Sequence, residues 1–214
     1  MIPARFVFEY PERCLQLIEA MEPEARRLSL VGSFSLMVAP SLFLIPYERL
    51  SAKHPLREHE REPEIYQAIK RIGQQQWLRA DFWSNSAADD WRLGRIVTPV
   101  NRTDDWKNER DLHPFRPEAN VISDAKVDKV MRVVRNALAH GNVVYLDQNG
   151  FERRGARVQY LAFLSRYEEG EFNREHPETY RIVTVTEEGF LRFLKDWATW
   201  LQNFAMDQQI FEAA

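Results

Sequence analysis

Between Asp124 and His140 the apolar residues Val127, Val130, Met131, Val134 and Leu138 recur at the period of an α-helix, and the pattern stops at Gly141-Asn142. A stripe this regular has to bury one face against a core. Ser123 or Asp124 can cap its start, and Gly141 can supply the left-handed residue that ends it. Any fold available to this chain must accommodate that helix as a packed, central element.

Other segments have weaker but readable periods. Residues 11–27 suggest a first helix with Leu15, Ile18 and Met21 on one stripe and Pro11 in the first turn. Residues 62–78 suggest another, with Ile65, Ala68, Ile69, Ile72 and Gln76 in phase and Pro63 at its start. The run 28–47 carries no charge and matches a membrane span in length. Ser29, Gly32, Ser33, Ser35, Pro40, Ser41 and Pro46 dilute it, so a largely buried helix ending near Pro40 or Pro46 is the simpler expectation, with no membrane partner.

The C-terminal third changes character. Residues 143–146, 157–166 and 180–185 are rich in aromatic and β-branched side chains, and Gln148-Asn149-Gly150 supplies turn chemistry between the first two. A last helix from about 187 to 205 follows, capped by Thr186 and buried through Phe190, Phe193, Leu194, Trp197, Leu201 and Phe204. The expected fold is thus mainly α, a helical bundle with a small antiparallel β element at about 143–185 before the last helix. Residues 1–214 are read as one domain with a long irregular insertion at about 84–120, a candidate lid or partner surface.

One cysteine, Cys14, excludes an internal disulfide framework and suits a reducing compartment. The first residues lack a cationic leader before an apolar run, so no signal peptide is expected and a cytoplasmic location is. Net charge is −3, so contact with nucleic acid requires a local patch. Between Asp124 and Arg157 seven basic residues face four acids, a candidate for that patch or simply a solvated face. The pairs Asp89-Asp90 and Asp104-Asp105 have no partner ligands at metal-binding spacing, and His54, His59, His113 and His176 read as loop histidines.

Chemistry concentrates in Arg135-Asn136-Ala137-Leu138-Ala139-His140-Gly141. Arg135 and His140 are displaced by about 7.5 Å along an ideal helix axis, while Asn136 and His140, at i and i+4, share a face. Arg is a permanent cation suited to phosphate, and His titrates near neutral pH. His140 could take the proton from a ribose 2′-OH, Arg135 could neutralise charge building on the phosphorane, and Asn136 could orient the imidazole or hold a phosphate oxygen. No metal or other cofactor is required. Spacing alone does not carry this reading, because Arg49 and His54 repeat it beside Pro46 and Pro55.

The segment Arg135 to Gly141 resembles the signature of the HEPN superfamily, in which an Arg, an adjacent polar residue and a His sit late in a helical bundle. The resemblance implies catalytic roles for Arg135, Asn136 and His140. It also implies a homodimer that brings two motifs to one cleft, and RNA as substrate, cleaved without a metal to leave a 2′,3′-cyclic phosphate. A toxin or anti-phage defence setting, with an antitoxin or defence partner protein, goes with it. A non-catalytic nucleotide- or protein-binding module of HEPN type is the alternative. One toxin branch carries a Tyr two residues after the His, which a partner nucleotidyltransferase modifies. Asn142 stands there in this chain and Tyr145 is out of register, so that particular pairing is not implied.

Overall fold

A computed structural model of the chain describes residues 6–50, 63–84, 91–166 and 179–212. The chain is mainly helical, with α1 (Phe6–Arg27), α2 (Val31–Ala39), α3 (Ile45–Arg49), α4 (Pro63–Gln74), α5 (Val127–His140) and α6 (Glu187–Glu212). A small antiparallel sheet is built from β1 (Trp91–Ile96), β2 (Val143–Leu146), β3 (Tyr160–Arg166) and β4 (Tyr180–Thr186), in the order β1-β4-β3-β2.

Strand alternation explains the two-sided core. Trp91, Leu93, Leu161, Phe163, Val183 and Val185 face the helices, where Val130, Val134, Phe190, Phe193 and Trp197 join them in the main core. Ile96, Leu146, Ala162, Leu164 and Ile182 face the opposite way, under Trp106. Aromatic rings fill the centre: the Trp77 ring lies 4.7 Å from Trp91, 5.4 Å from Phe193 and 5.5 Å from Phe82.

The ends of α5 are fixed by backbone. Gly141 adopts φ +70°, and the Asn142 N–H reaches back to the Ala137 carbonyl, closing the helix as its sequence suggests. The start differs. Neither Ser123 nor Asp124 caps it, because residues 122–124 form a 3-10 turn. Instead Val127 N–H donates to the Gln75 carbonyl and Trp77 N–H to the Ala125 carbonyl, an isolated bridge that satisfies an otherwise orphaned amide. In α6 the expected cap is present, with Gly189 N–H donating to the Thr186 hydroxyl at 3.0 Å.

Several expectations are corrected. Helix α1 begins at Phe6, so Pro11 lies inside it and costs one helical hydrogen bond rather than starting it. The segment 84–120, read as irregular, contributes β1, which pairs with β4 from Trp91↔Val185 to Ile96↔Tyr180. The other edge of β1 is occupied by Asn120, whose side-chain oxygen accepts from Leu93 N–H, and by Val121, whose N–H donates to the Leu93 carbonyl. Gln148-Asn149-Gly150 does make a turn, but inside the 147–159 loop rather than as a tight β2–β3 hairpin.

The apolar run 28–47 is helical from Val31 to Arg49 but not largely buried. By length and composition this helix could cross a membrane, yet 44% of its apolar window is buried in the fold, while Met37 is 60% exposed. One face packs on α1 and α6 and the other carries Ser33 and Met37 outward. At Pro40–Leu44 it widens into a π turn, with Ile45 N–H donating to the Pro40 carbonyl. Pro40 and Pro46 have no N–H to donate, so two α-type bonds are missing on either side.

Helices α1 and α6 are linked by charge. Glu22 accepts from Arg26 and Lys195, and Arg26 also grips Glu188. Burial alone raises the Glu22 carboxyl, but hydrogen bonds from Lys195 and Arg26 outweigh it and hold the group below its ordinary value. A depressed folded pKa contributes stability above the ordinary carboxylate range that is lost as pH falls through it. Glu22→Gln should therefore lower the thermal midpoint at pH 7 and flatten its decline below about pH 4.5, the ordinary glutamate value. Thermal melts between pH 3 and 7 read this; parallel curves for the two proteins would refute it.

Gly150 sits at φ +82°, and a Cβ there would run into the Phe115 ring, itself stacked edge-on against Tyr160 at 4.8 Å. Gly150→Ala should cost about 1–3 kcal/mol in urea unfolding, from backbone strain plus overpacking.

Candidate active site

The stripe Val127, Val130, Val134 and Ala137 turns its own face of α5 into the core and leaves Arg135 and Asn136, late in the helix, at the margins of that face. Both are half-buried, whereas His140, on the last turn, is exposed. Arg135 lies against α3: its Nε and Nη2 form a two-pronged bond to the Glu48 carboxylate, with Nη2 to Oε2 at 3.0 Å. Nη1 donates to Asn136 Oδ1 at 2.7 Å, and Asn136 Nδ2 donates to the Ser165 hydroxyl at 3.0 Å. A continuous chain Glu48–Arg135–Asn136–Ser165 therefore joins α3, α5 and β3.

That chain gives both residues protein partners. Both ends of the Asn136 amide are engaged, one by Arg135 and one by Ser165. Arg135 does not stand alone as a phosphate donor, since Glu48 is already on its fork. His140 shares the i, i+4 face with Asn136 but hydrogen bonds to neither Asn136 nor Arg135. The structure thus joins Arg135 and Asn136 directly and places His140 one turn beyond them, at the C-terminal end of α5.

Glu48 and Ser165 were not singled out by sequence. Glu48 lies 87 positions from Arg135, in a five-residue helix that contains Pro46, and Ser165 is the last residue but one of an apolar strand. A lone acid after an uncharged run is the one local hint for Glu48.

The seven basic residues between Asp124 and Arg157 do not form one patch. Arg153, Arg154 and Arg157 lie in the loop that joins the Leu146↔Tyr160 end of β2–β3, whereas Ser165 and Asn136 lie at the other end. Five residues of strand, about 17 Å, separate the two. Arg153 is also paired with Asp104. Among the other histidines, His113 is structural: its Nε2 meets the Thr103 carbonyl, its Nδ1 accepts from Phe115 N–H, and its ring stacks near Trp106. Burial pushes it below its ordinary value. His54, His59 and His176 lie outside the described residues, as do Asp89 and Asp90.

A cleft of about 250 Å³ lined by Tyr47, Tyr66, Lys70, Asp128, Met131 and Trp197 opens between α3, α4 and α5, and does not include Arg135, Asn136 or His140. Among the described residues no group of three His, Cys, Asp or Glu side chains is placed to hold a metal ion.

Neither a curated protein nor a solved structure matches this chain. A family model described as HEPN pEK499 p136 matches it over residues 3–208, nearly end to end. Together with the Arg135-Asn136…His140 motif on a helix of a mainly helical fold, that match establishes that the chain belongs to this HEPN family.

Proposed function

We propose that this HEPN protein is a metal-independent endoribonuclease, working as a homodimer in a toxin or anti-phage defence setting. The observation that carries the reading is the arrangement at the end of α5. Arg135 is fixed on both sides, by Glu48 and Asn136, one turn from an exposed His140. A preoriented guanidinium beside a titratable group is what 2′-OH transesterification asks of a protein.

In the reaction His140 removes the 2′-OH proton as the 2′ oxygen attacks phosphorus. The O2′–P bond forms, the P–O5′ bond breaks, and the 5′ oxygen leaves and takes a proton from solvent. The products are a 2′,3′-cyclic phosphate and a 5′-hydroxyl. Arg135 offsets the charge on the phosphorane oxygens, and the entering phosphate competes with Glu48 for the outer edge of the guanidinium. Asn136 and Ser165 act through Arg135, holding its plane. His140 stands at the surface rather than in a closed pocket, and a second copy of the chain supplies the missing wall in a dimer.

The Glu48–Arg135 pair favours a second reading, in which Arg135 is a structural tie between α3 and α5 and the protein is a non-catalytic nucleotide- or protein-binding module. Stability separates the two. Both side chains are more than a third exposed, at 37% and 36%, so water screens the pair and its coupling should be only about 0.2–1 kcal/mol. Arg135→Ala should then leave the fold intact while removing cleavage. A loss of several kcal/mol, together with an inactive wild type, is the pattern of a structural Arg.

With EDTA present, the purified protein should cleave RNA and leave cyclic-phosphate ends, and His140→Ala should cut the rate by at least about 100-fold with the circular dichroism unchanged. Equal cleavage by the His140→Ala variant would refute the assignment.

A further inference from the structure

Helix α5 and one end of the sheet run side by side, and cations gather along that line. In register, Arg95 of β1 pairs with Arg181 of β4, and Arg181 pairs with Ser165 of β3. All three lie at the helix-facing positions of their strands, the alternation that also places Leu93, Val183 and Phe163 in the main core. Beyond Ser165 the ladder continues, because Leu164 N–H donates to the Asn142 carbonyl. The row therefore ends next to Gly141 and His140. It crosses three strand spacings, about 14 Å.

The facing edge of α5 has the same length. Lys129, Val133, Asn136 and His140 fall on one helical face, at i, i+4, i+7 and i+11. Lys129 to His140 spans about 16 Å of axis. Asn136 is bonded to Ser165, which fixes the alignment, and the charges of Arg181 and Arg95 both act on Lys129. Burial, then these two cations, push the Lys129 ammonium below its ordinary value, with Asp128 as the opposing charge. Arg95 is also paired with Glu109, in a bridge whose side chains are 44% and 50% exposed. Such a pair is weak and can be exchanged for another anion.

We infer that Lys129, Arg95 and Arg181 form a phosphate track for the single-stranded RNA that flanks the cleaved linkage, running from β1 to the Arg135–His140 site. The track rests on the nuclease reading for its destination. Its length, about 14 Å, spans a few nucleotides of one strand. Its width is one row of cations, which follows one backbone rather than the two of a duplex. The chemistry agrees: a 2′ oxygen lines up with the P–O5′ bond only where the strand leaves A-form geometry. Arg95 and Lys129 are the accessible members. Arg181, 5% exposed, backs them with charge from beneath.

The test uses the full chain and a labelled, unstructured 12-nucleotide 2′-O-methyl RNA, which has no 2′-OH to attack, so binding is read apart from cleavage. Fluorescence anisotropy across a salt series should show the Lys129→Gln/Arg95→Gln variant binding at least about tenfold more weakly. Its log K against log [salt] slope should be lower by about 1.4, the value for two lost single-strand phosphate contacts. Arg27→Gln/Arg102→Gln, which removes two exposed cations outside the track, matches the charge change and should bind as the wild type does. An unchanged affinity and slope in the double variant, with its melt intact, overturns the track. Equal competition by a duplex of the same sequence overturns its single-strand character. Binding that depends on Lys129 and Arg95 in a protein that cleaves no 2′-OH RNA supports the track and refutes the nuclease reading alone.

Discussion

The backbone of α5 is clamped at both ends, and the rest of the molecule is arranged around that clamp. At its start the amide of Val127 is taken by the Gln75 carbonyl, so the segment before the helix is sewn to the segment after α4. At its end Gly141 turns left-handed and delivers the chain directly into β2. Between these points Val127, Val130, Val134 and Ala137 are fully buried. A helix of 14 residues is marginal in isolation, and this burial and anchoring hold it. Because neither end can slide, the side chains on its other faces acquire fixed addresses. Arg135 meets α3, and Asn136 meets β3.

The sheet contributes a second constraint. Its centre is buried on both faces, so the strands carry apolar side chains almost continuously, and polar groups are pushed to the strand ends. At one end the sequence places Arg95, Arg181 and Ser165 side by side. At the other it places an arginine-rich loop, partly neutralised by Asp104. In a protein of net charge −3 these two arginine groups stand at opposite ends of the sheet, and the first lies beside the motif helix. Like charges gathered this way are held together by the hydrogen-bonded register of the strands rather than by mutual attraction.

The legible parts of this fold are those governed by neighbours in sequence. The α5 stripe, the Gly141 stop, the Thr186 cap, the α6 face and strands β2 to β4 are written in local period and local turn chemistry. The HEPN resemblance was legible in seven consecutive residues for the same reason. Strand β1 was hidden because Trp91-Arg92-Leu93-Gly94-Arg95-Ile96 interrupts its alternation with Gly94, where an added Cβ would press on Pro114, and because its partner β4 lies some 90 residues on. Glu48, Ser165, Arg95 and Arg181 were hidden more thoroughly. Their meaning comes only from what the folded chain sets against them. The seven-cation count between Asp124 and Arg157 shows the converse error: proximity in sequence suggested a patch that strand geometry divides.

The π turn at Pro40–Leu44 has a consequence for the phase of everything after it. Each α-helical residue advances about 100° around the axis, and a π turn holds one residue more than an α turn would. Remove that extra residue and α3 rotates by roughly a quarter turn or more, carrying Glu48 away from Arg135 while leaving the helix continuous. The wide turn thus works as a phase setting. Two prolines six positions apart make the insertion tolerable, and the result is that an acid in one helix and a base in another, far apart in the chain, arrive at the same angle.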